Sequence, residues 1–146
     1  TRRQLLTAGG GAIAISTLPL KALADEVDLL RARTQLFGDR AIQEGRVTVK
    51  LPPIAENGHS VPITVSVESP MTADDYVKRV AILSPRNPLP VIAEHHFTPL
   101  SGKAEVSSRI RMSGTQAIQA VAEMSDGSLW SGSMETVVTL AACVVL

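Results

Sequence analysis

From Arg46 onward apolar residues fall on every second position, and that period constrains the fold more than anything else in the chain. Val47, Val49 and Leu51 alternate with Arg46, Thr48 and Lys50 until Pro52-Pro53 stops the run. Successive side chains of a strand point to opposite faces, so this spacing describes a half-buried strand. The pattern returns in Val61, Ile63, Val65 and Val67, which alternate with Thr64, Ser66 and Glu68 up to Pro70. Further strands are expected at 77–83, 91–97, 104–112 and 115–124, with a seventh starting at 129–133 and able to reach Leu140. Asn57-Gly58, Pro85, Pro88 and Pro90, Ser101-Gly102 and Asp126-Gly127 supply the turns between them. About seven short strands with no βαβ alternation predict an all-β, immunoglobulin-like antiparallel β-sandwich over residues 46–140.

The preceding segment, 25–45, has a different rhythm. Val27, Leu30, Phe37 and Ala41 fit a helical stripe, Gly38 weakens its middle and Gly45 can end it. We read an imperfect N-terminal helix here, a flap over a sheet or a contact for another protein. Residues 1–24 read as an address. Arg2-Arg3 precede a mildly apolar stretch diluted by Gly9, Gly10 and Gly11, and Ala22-Leu23-Ala24 offers small residues where signal peptidase needs them. The arginine pair and the glycine-weakened core resemble a twin-arginine export signal, which places the mature chain in the periplasm, beginning at Asp25. The apolar run of about 16 residues is short for a membrane span.

Charge and composition exclude other classes. The chain carries 14 basic and 14 acidic residues, and only one Trp, one Tyr and two Phe. Without Arg2, Arg3 and Lys21 the balance turns acidic, so neither a nucleic acid nor an anionic membrane is an expected partner. His59 lies by a turn, and His95 and His96 are neighbours in a strand, pointing to opposite faces. Asp74-Asp75 suits a turn, and Met71, Met112, Met124 and Met134 are scattered as core residues are. Trp130 reads as a core residue of the sandwich. No nucleophile–base pair, metal-ligand spacing or phosphate loop stands out, so neither catalytic residues nor a cofactor or metal site is expected.

Cys143 remains. It is the chain's single cysteine, in a tail, 141–146, that reads Ala-Ala-Cys-Val-Val-Leu. An unpaired cysteine in an exported protein is a reactive thiol or an intermolecular link. Among stiff β-branched neighbours it is equally a small buried hydrophobe in a last strand.

Two longer stretches carry a resemblance. LPPIAENGHSVPITVSVESPMTADDYV runs from Leu51 to Val77, and HHFTPLSGKAEVSSRIRMSGTQAIQAVAEMSDGSLW from His95 to Trp130. Both resemble SoxY, the carrier subunit of thiosulfate-oxidising systems. The resemblance implies an immunoglobulin-like fold and a covalent sulfur carrier that is not itself an enzyme. It also implies a permanent partner, the β-sandwich protein SoxZ, with a homodimer when that partner is missing. A haem c conjugating enzyme, a sulfate-releasing hydrolase and a sulfane dehydrogenase are implied as transient visitors. The family carries its sulfur on the cysteine of a Gly-Gly-Cys-Gly-Gly terminus, which aligns with Cys143. Here Ala141, Ala142, Val144 and Val145 replace the glycines and Leu146 is extra. The alternative is a SoxY-like interaction protein that has lost carrier duty and uses an edge strand to bind a partner.

Overall fold

The computed structural model describes residues 20–142, which form one helix and nine strands. In chain order these are α1 (Leu20–Phe37), β1 (Ile42–Glu44), β2 (Val47–Lys50), β3 (Ile54–Asn57), β4 (Val61–Val67), β5 (Val77–Leu83), β6 (Val91–His96), β7 (Glu105–Ile110), β8 (Gln116–Met124) and β9 (Leu129–Leu140). A 3-10 turn, Pro99–Ser101, separates β6 from β7. All seven strands expected from the alternation are present.

Two sheets face each other. β2, β4 and β7 form the smaller, antiparallel sheet, and β9, β8, β5 and β6 form the body of the larger one. Val61, Ile63, Val65 and Val67 of β4 meet Val80 and Ile82 of β5 and Ile118, Ala120 and Ala122 of β8 in the core between them. The alternate residues Ala81, Leu83 and Val121 emerge on the outer face of the larger sheet, where Phe37 of α1 and Leu129 cover them. β5 and β8 are therefore buried on both faces, and their runs Val-Ala-Ile-Leu and Ala-Val-Ala lack polar positions for that reason.

Two strands were not expected. β1 and β3 both pair in parallel with β9 along one edge: Ile42 opposes Leu129, and Ile54 opposes Val137. With three and four residues, neither completes enough of a period to be read locally. Between them β2 of the other sheet passes close to β9. A Cβ on Gly132 would lie 2.1 Å from the carbonyl oxygen of Val47, so only glycine fits at this crossing.

The helix differs from its expected course over 25–45. It already includes Leu20 and stops at Phe37, where Gly38 takes φ +69° and donates its N–H to the Thr34 carbonyl at 2.8 Å. Residues beyond Gly38 turn back to form β1, so the sheet begins before residue 46. The buried stripe is Leu29, Ala32, Leu36 and Phe37, whereas Val27, Leu30 and Ala41 face outward. Polar contacts accompany that rotation. The Arg33 guanidinium donates to the side-chain oxygen of Gln119 on β8. Arg79 lies under the Phe37 ring at 4.6 Å and donates to the Leu36 carbonyl. Glu123 accepts from Arg40 at 2.6 Å and from Arg79 at 3.2 Å. Burial alone would raise the Glu123 pKa, but these two guanidinium bonds outweigh it and hold the carboxyl below its ordinary range.

Candidate functional site

The end of β9 is where the described chain approaches its cysteine. β9 runs beside β8 as far as Thr136, which opposes Gln116. It then continues against β3, with Asn57 opposite Leu140, while Val138 N–H still donates to Thr115 Oγ1 at 3.0 Å. Three backbone hydrogen bonds finish the job. Gly58 N–H donates to the Leu140 carbonyl at 2.7 Å, Met112 N–H to the Gly58 carbonyl at 2.8 Å, and Ala142 N–H to the Met112 carbonyl at 2.9 Å. Gly58 sits at the centre of this knot. A Cβ there would stand 2.4 Å from the Met112 oxygen and 3.0 Å from the Ala142 nitrogen. Met112 and Ala142 are buried, at 0% and 1% exposure, so the knot is packed as well as hydrogen-bonded.

Around it the surface is apolar and basic. Ile54, Val137 and Leu140 are exposed side by side at the β3–β9 end. His59 follows Gly58, exposed, with its backbone N–H and ring Nδ1 both 2.9 Å from the Asn57 side-chain oxygen. Arg111 precedes Met112 and is exposed. The arrangement is a fixed mounting for whatever follows Ala142.

Of the expected site residues, Cys143, Arg2 and Arg3 lie outside the described residues. Ala22 and Ala24 are exposed on α1. His95 and His96 do point to opposite faces: His95 sits opposite Val80 of the core, its Nε2 buried without a partner, and His96 is exposed 3.9 Å from Glu94. Asp75 closes the turn after Met71, its backbone N–H donating to Thr72 Oγ1 at 3.1 Å. Met71, Met112 and Met124 are buried, and Met134 is partly so. Trp130 packs on the core edge, its indole N–H donating to Ser128 Oγ at 3.2 Å and Arg46 lying 5.5 Å from its ring. Among the described residues no three His, Cys, Asp or Glu side chains come together as metal ligands would. No described helix is long and apolar enough to cross a membrane.

Sequence reading missed the functional weight of Gly58 and Met112. Asn57-Gly58 signals a turn, and Met112 reads as core. That both also hold residue 142 is a contact between segments far apart in the chain, for which no local signal exists.

Comparison with known proteins follows the same lines. Residues 33–143 match the family model for the sulfur oxidation protein SoxY, a match that ends on the cysteine. A structure of the sulfur carrier protein SoxY from Chlorobium limicola f thiosulfatophilum is 30% identical, covers 81% of this chain and 97% of that one, and superposes with a TM-score of 0.70. Superoxide reductases from Ignicoccus hospitalis (17% identity, TM-score 0.56, 63% of this chain and 78% of that one) and Nanoarchaeum equitans (14%, 0.55, 65% and 99%) share the fold alone. No curated protein matches the chain.

Proposed function

The chain belongs to the SoxY family of sulfur-oxidation proteins, and from that premise we propose that it is a periplasmic covalent sulfur carrier whose Cys143 is the attachment point. The observation that carries this reading is the knot at Gly58, which fixes the chain one peptide before the cysteine. Consecutive Cα atoms are about 3.8 Å apart. A thiol mounted so close to a rigid edge is presented at a defined place on the sandwich, as a group handed between enzymes must be.

The mounting also accounts for alanine at 142, one of the positions where the family has glycine. Glycine at 142 would add freedom the anchored backbone does not use. Alanine places a methyl in a buried position, worth about 0.8 kcal/mol, and narrows the unfolded ensemble. On the carrier reading the chain is anchored up to residue 142, directly before the attachment point.

Loading joins the sulfane sulfur of thiosulfate to Cys143 Sγ. The thiol loses its proton, a sulfur–sulfur bond forms, and two electrons pass to the haem c conjugating enzyme. The remaining chemistry belongs to that enzyme and to the hydrolase that releases sulfate. A SoxZ-like sandwich protein is the proposed standing partner, covering an edge that a lone sandwich leaves unpaired. Export by the twin-arginine route through Arg2-Arg3, with cleavage after Ala24, completes the proposal.

The replacement of the family's glycines by Val144 and Val145 favours one second reading, an interaction protein that kept the fold and lost the arm. Intact-protein mass after incubation with thiosulfate and the conjugating enzyme separates the two. The carrier gains one S2O3 group on Cys143, and Cys143→Ser gains nothing. No adduct on the native chain or on a variant with glycine at 144 and 145 removes the carrier reading.

A further inference from the structure

The loop from Ser84 to Pro90 is held more firmly than a loop needs to be. Pro85, Pro88 and Pro90 restrict its backbone. The Ser84 hydroxyl donates to the Gln116 side chain and accepts the Asn87 N–H at 2.9 Å. Asn87 in turn donates its side-chain amide to the Arg111 carbonyl at 2.8 Å and accepts the Ser113 N–H at 3.0 Å. On this fixed frame Leu89 stands 75% exposed. A single exposed leucine is ordinary on a protein surface, but this one stands on an ordered frame at the mouth of an apolar groove.

Leu89 lines a groove of about 350 Å³ with Val91, Ile92 and Ile110, and Arg109 and Arg111 stand in its wall. The groove opens between the start of β6 and the end of β7. Each is an edge strand, paired on one side only among the described residues. Arg109 donates to Ser60 Oγ at 2.6 Å, a neutral acceptor. Among the described residues no carboxylate forms an ion pair with Arg109 or Arg111. The groove also adjoins the tail mounting. Asn87 grips residues 111 and 113, and the carbonyl of Met112 between them receives the Ala142 N–H.

We infer that this groove docks an extended segment of the enzyme acting on Cys143, with apolar side chains over Leu89 and Ile92 and carboxylates on Arg109 and Arg111. Extended backbone can pair with a free edge strand while alternate side chains fill the floor. Two uncompensated guanidinium groups favour acidic residues and speed encounter. A preordered loop lowers the entropy cost of binding, and a groove this small suits a visitor that must leave. With Ala142 anchored beside the groove, an enzyme that reaches the next residue also comes close to this surface. The inference rests on the carrier reading, and its test separates the two.

The test compares the full chain with Leu89→Asp and with the double variant Arg109→Glu, Arg111→Glu, using the haem c conjugating enzyme of the same sulfur-oxidation system. Thiosulfate loading of Cys143 is followed by mass. Both variants should raise KM for the carrier about tenfold, with kcat nearly unchanged, and the native KM should rise with salt. Maleimide labelling of Cys143 should proceed at the native rate in both, which locates the loss in docking. Unchanged KM in both variants overturns the groove and leaves the carrier intact. If the native chain never loads, the carrier reading fails, and the groove is judged by titrating 15N-labelled Cys143→Ser chain with the same enzyme. Shifts at Leu89, Ile92 and Arg111 sustain it; a titration that leaves them unmoved overturns it.

Discussion

β9 is held in two ways along its length. From Leu129 to Thr136 it lies between β8 and the β1 edge, with Leu129, Ser131 and Thr136 buried and β2 crossing it at Gly132. From Val137 to Leu140 it pairs with β3 alone among the described strands, with one further bond from Val138 N–H to Thr115 Oγ1, and Val137 and Leu140 are exposed at 46% and 58%. The first half is part of the core. The second is a bracket, fixed by a short parallel pairing and the knot at Gly58. Local opening costs least where few apolar contacts must break. One strand therefore joins a rigid body to the end that presents the cysteine, and its two halves should respond differently to damage.

The largest effect is expected in the first half. Gly132→Ala puts a methyl 2.1 Å from the Val47 carbonyl, where backbone meets backbone and neither side can yield cheaply. A loss of about 3 kcal/mol or more is expected by urea unfolding. A native midpoint in this variant would mean the two sheets are not clamped at that crossing. Gly58→Ala carries the same test to the bracket. It should cost about 2 kcal/mol, and its signature is local. Hydrogen exchange at Ala142 should accelerate strongly while Val121 accelerates only as far as global stability falls, and Cys143 should label faster. If Ala142 and Val121 exchange alike in the native chain, the division of β9 into two regimes is wrong.

The clamp behind the first half is electrostatic. Glu123 opposes Leu129 in the β8–β9 register and takes both Arg40 and Arg79. Its folded pKa is lowered, so its contribution is complete above the unfolded value of about 4.3 and fades as pH falls through the lower folded value. Glu123→Gln should cost about 1–2 kcal/mol at pH 7 and flatten the acid limb of the stability curve below about pH 5. An unchanged acid limb would show that the carboxylate contributes nothing net. The smallest effect is expected where the two halves meet. Thr136 is fully buried and its hydroxyl has no hydrogen-bond partner. Thr136→Val keeps the shape and removes that unpaired group, and should raise stability by up to about 1 kcal/mol in thermal melts. A lower melting temperature would mean the hydroxyl is satisfied in solution, for instance by a trapped water.

What the sequence determined by itself was whatever repeats within a few residues. The alternation in Val61–Val67 sets a strand and its buried face, because a pleated backbone permits no other reading of a period of two. Seven such runs, with their turn residues, were enough for a sandwich. The SoxY-like blocks from Leu51 and from His95 were enough for the family. Tertiary structure decided what depends on a distant partner. β1 and β3 exist as strands because β9 lies beside them. The helix turned its Leu29–Ala32–Leu36 stripe inward, leaving Val27 and Leu30 outside, against a distant sheet face whose Gln119 and Glu123 meet Arg33 and Arg40 from more than eighty residues away. The same holds at the candidate site. Cys143 stands out in the sequence as a lone thiol, but the anchoring of Ala142 just before it depends on Gly58 and Met112. Backbone hydrogen bonds between distant segments leave no pattern in the side chains, which is why only the folded chain shows where the tail begins.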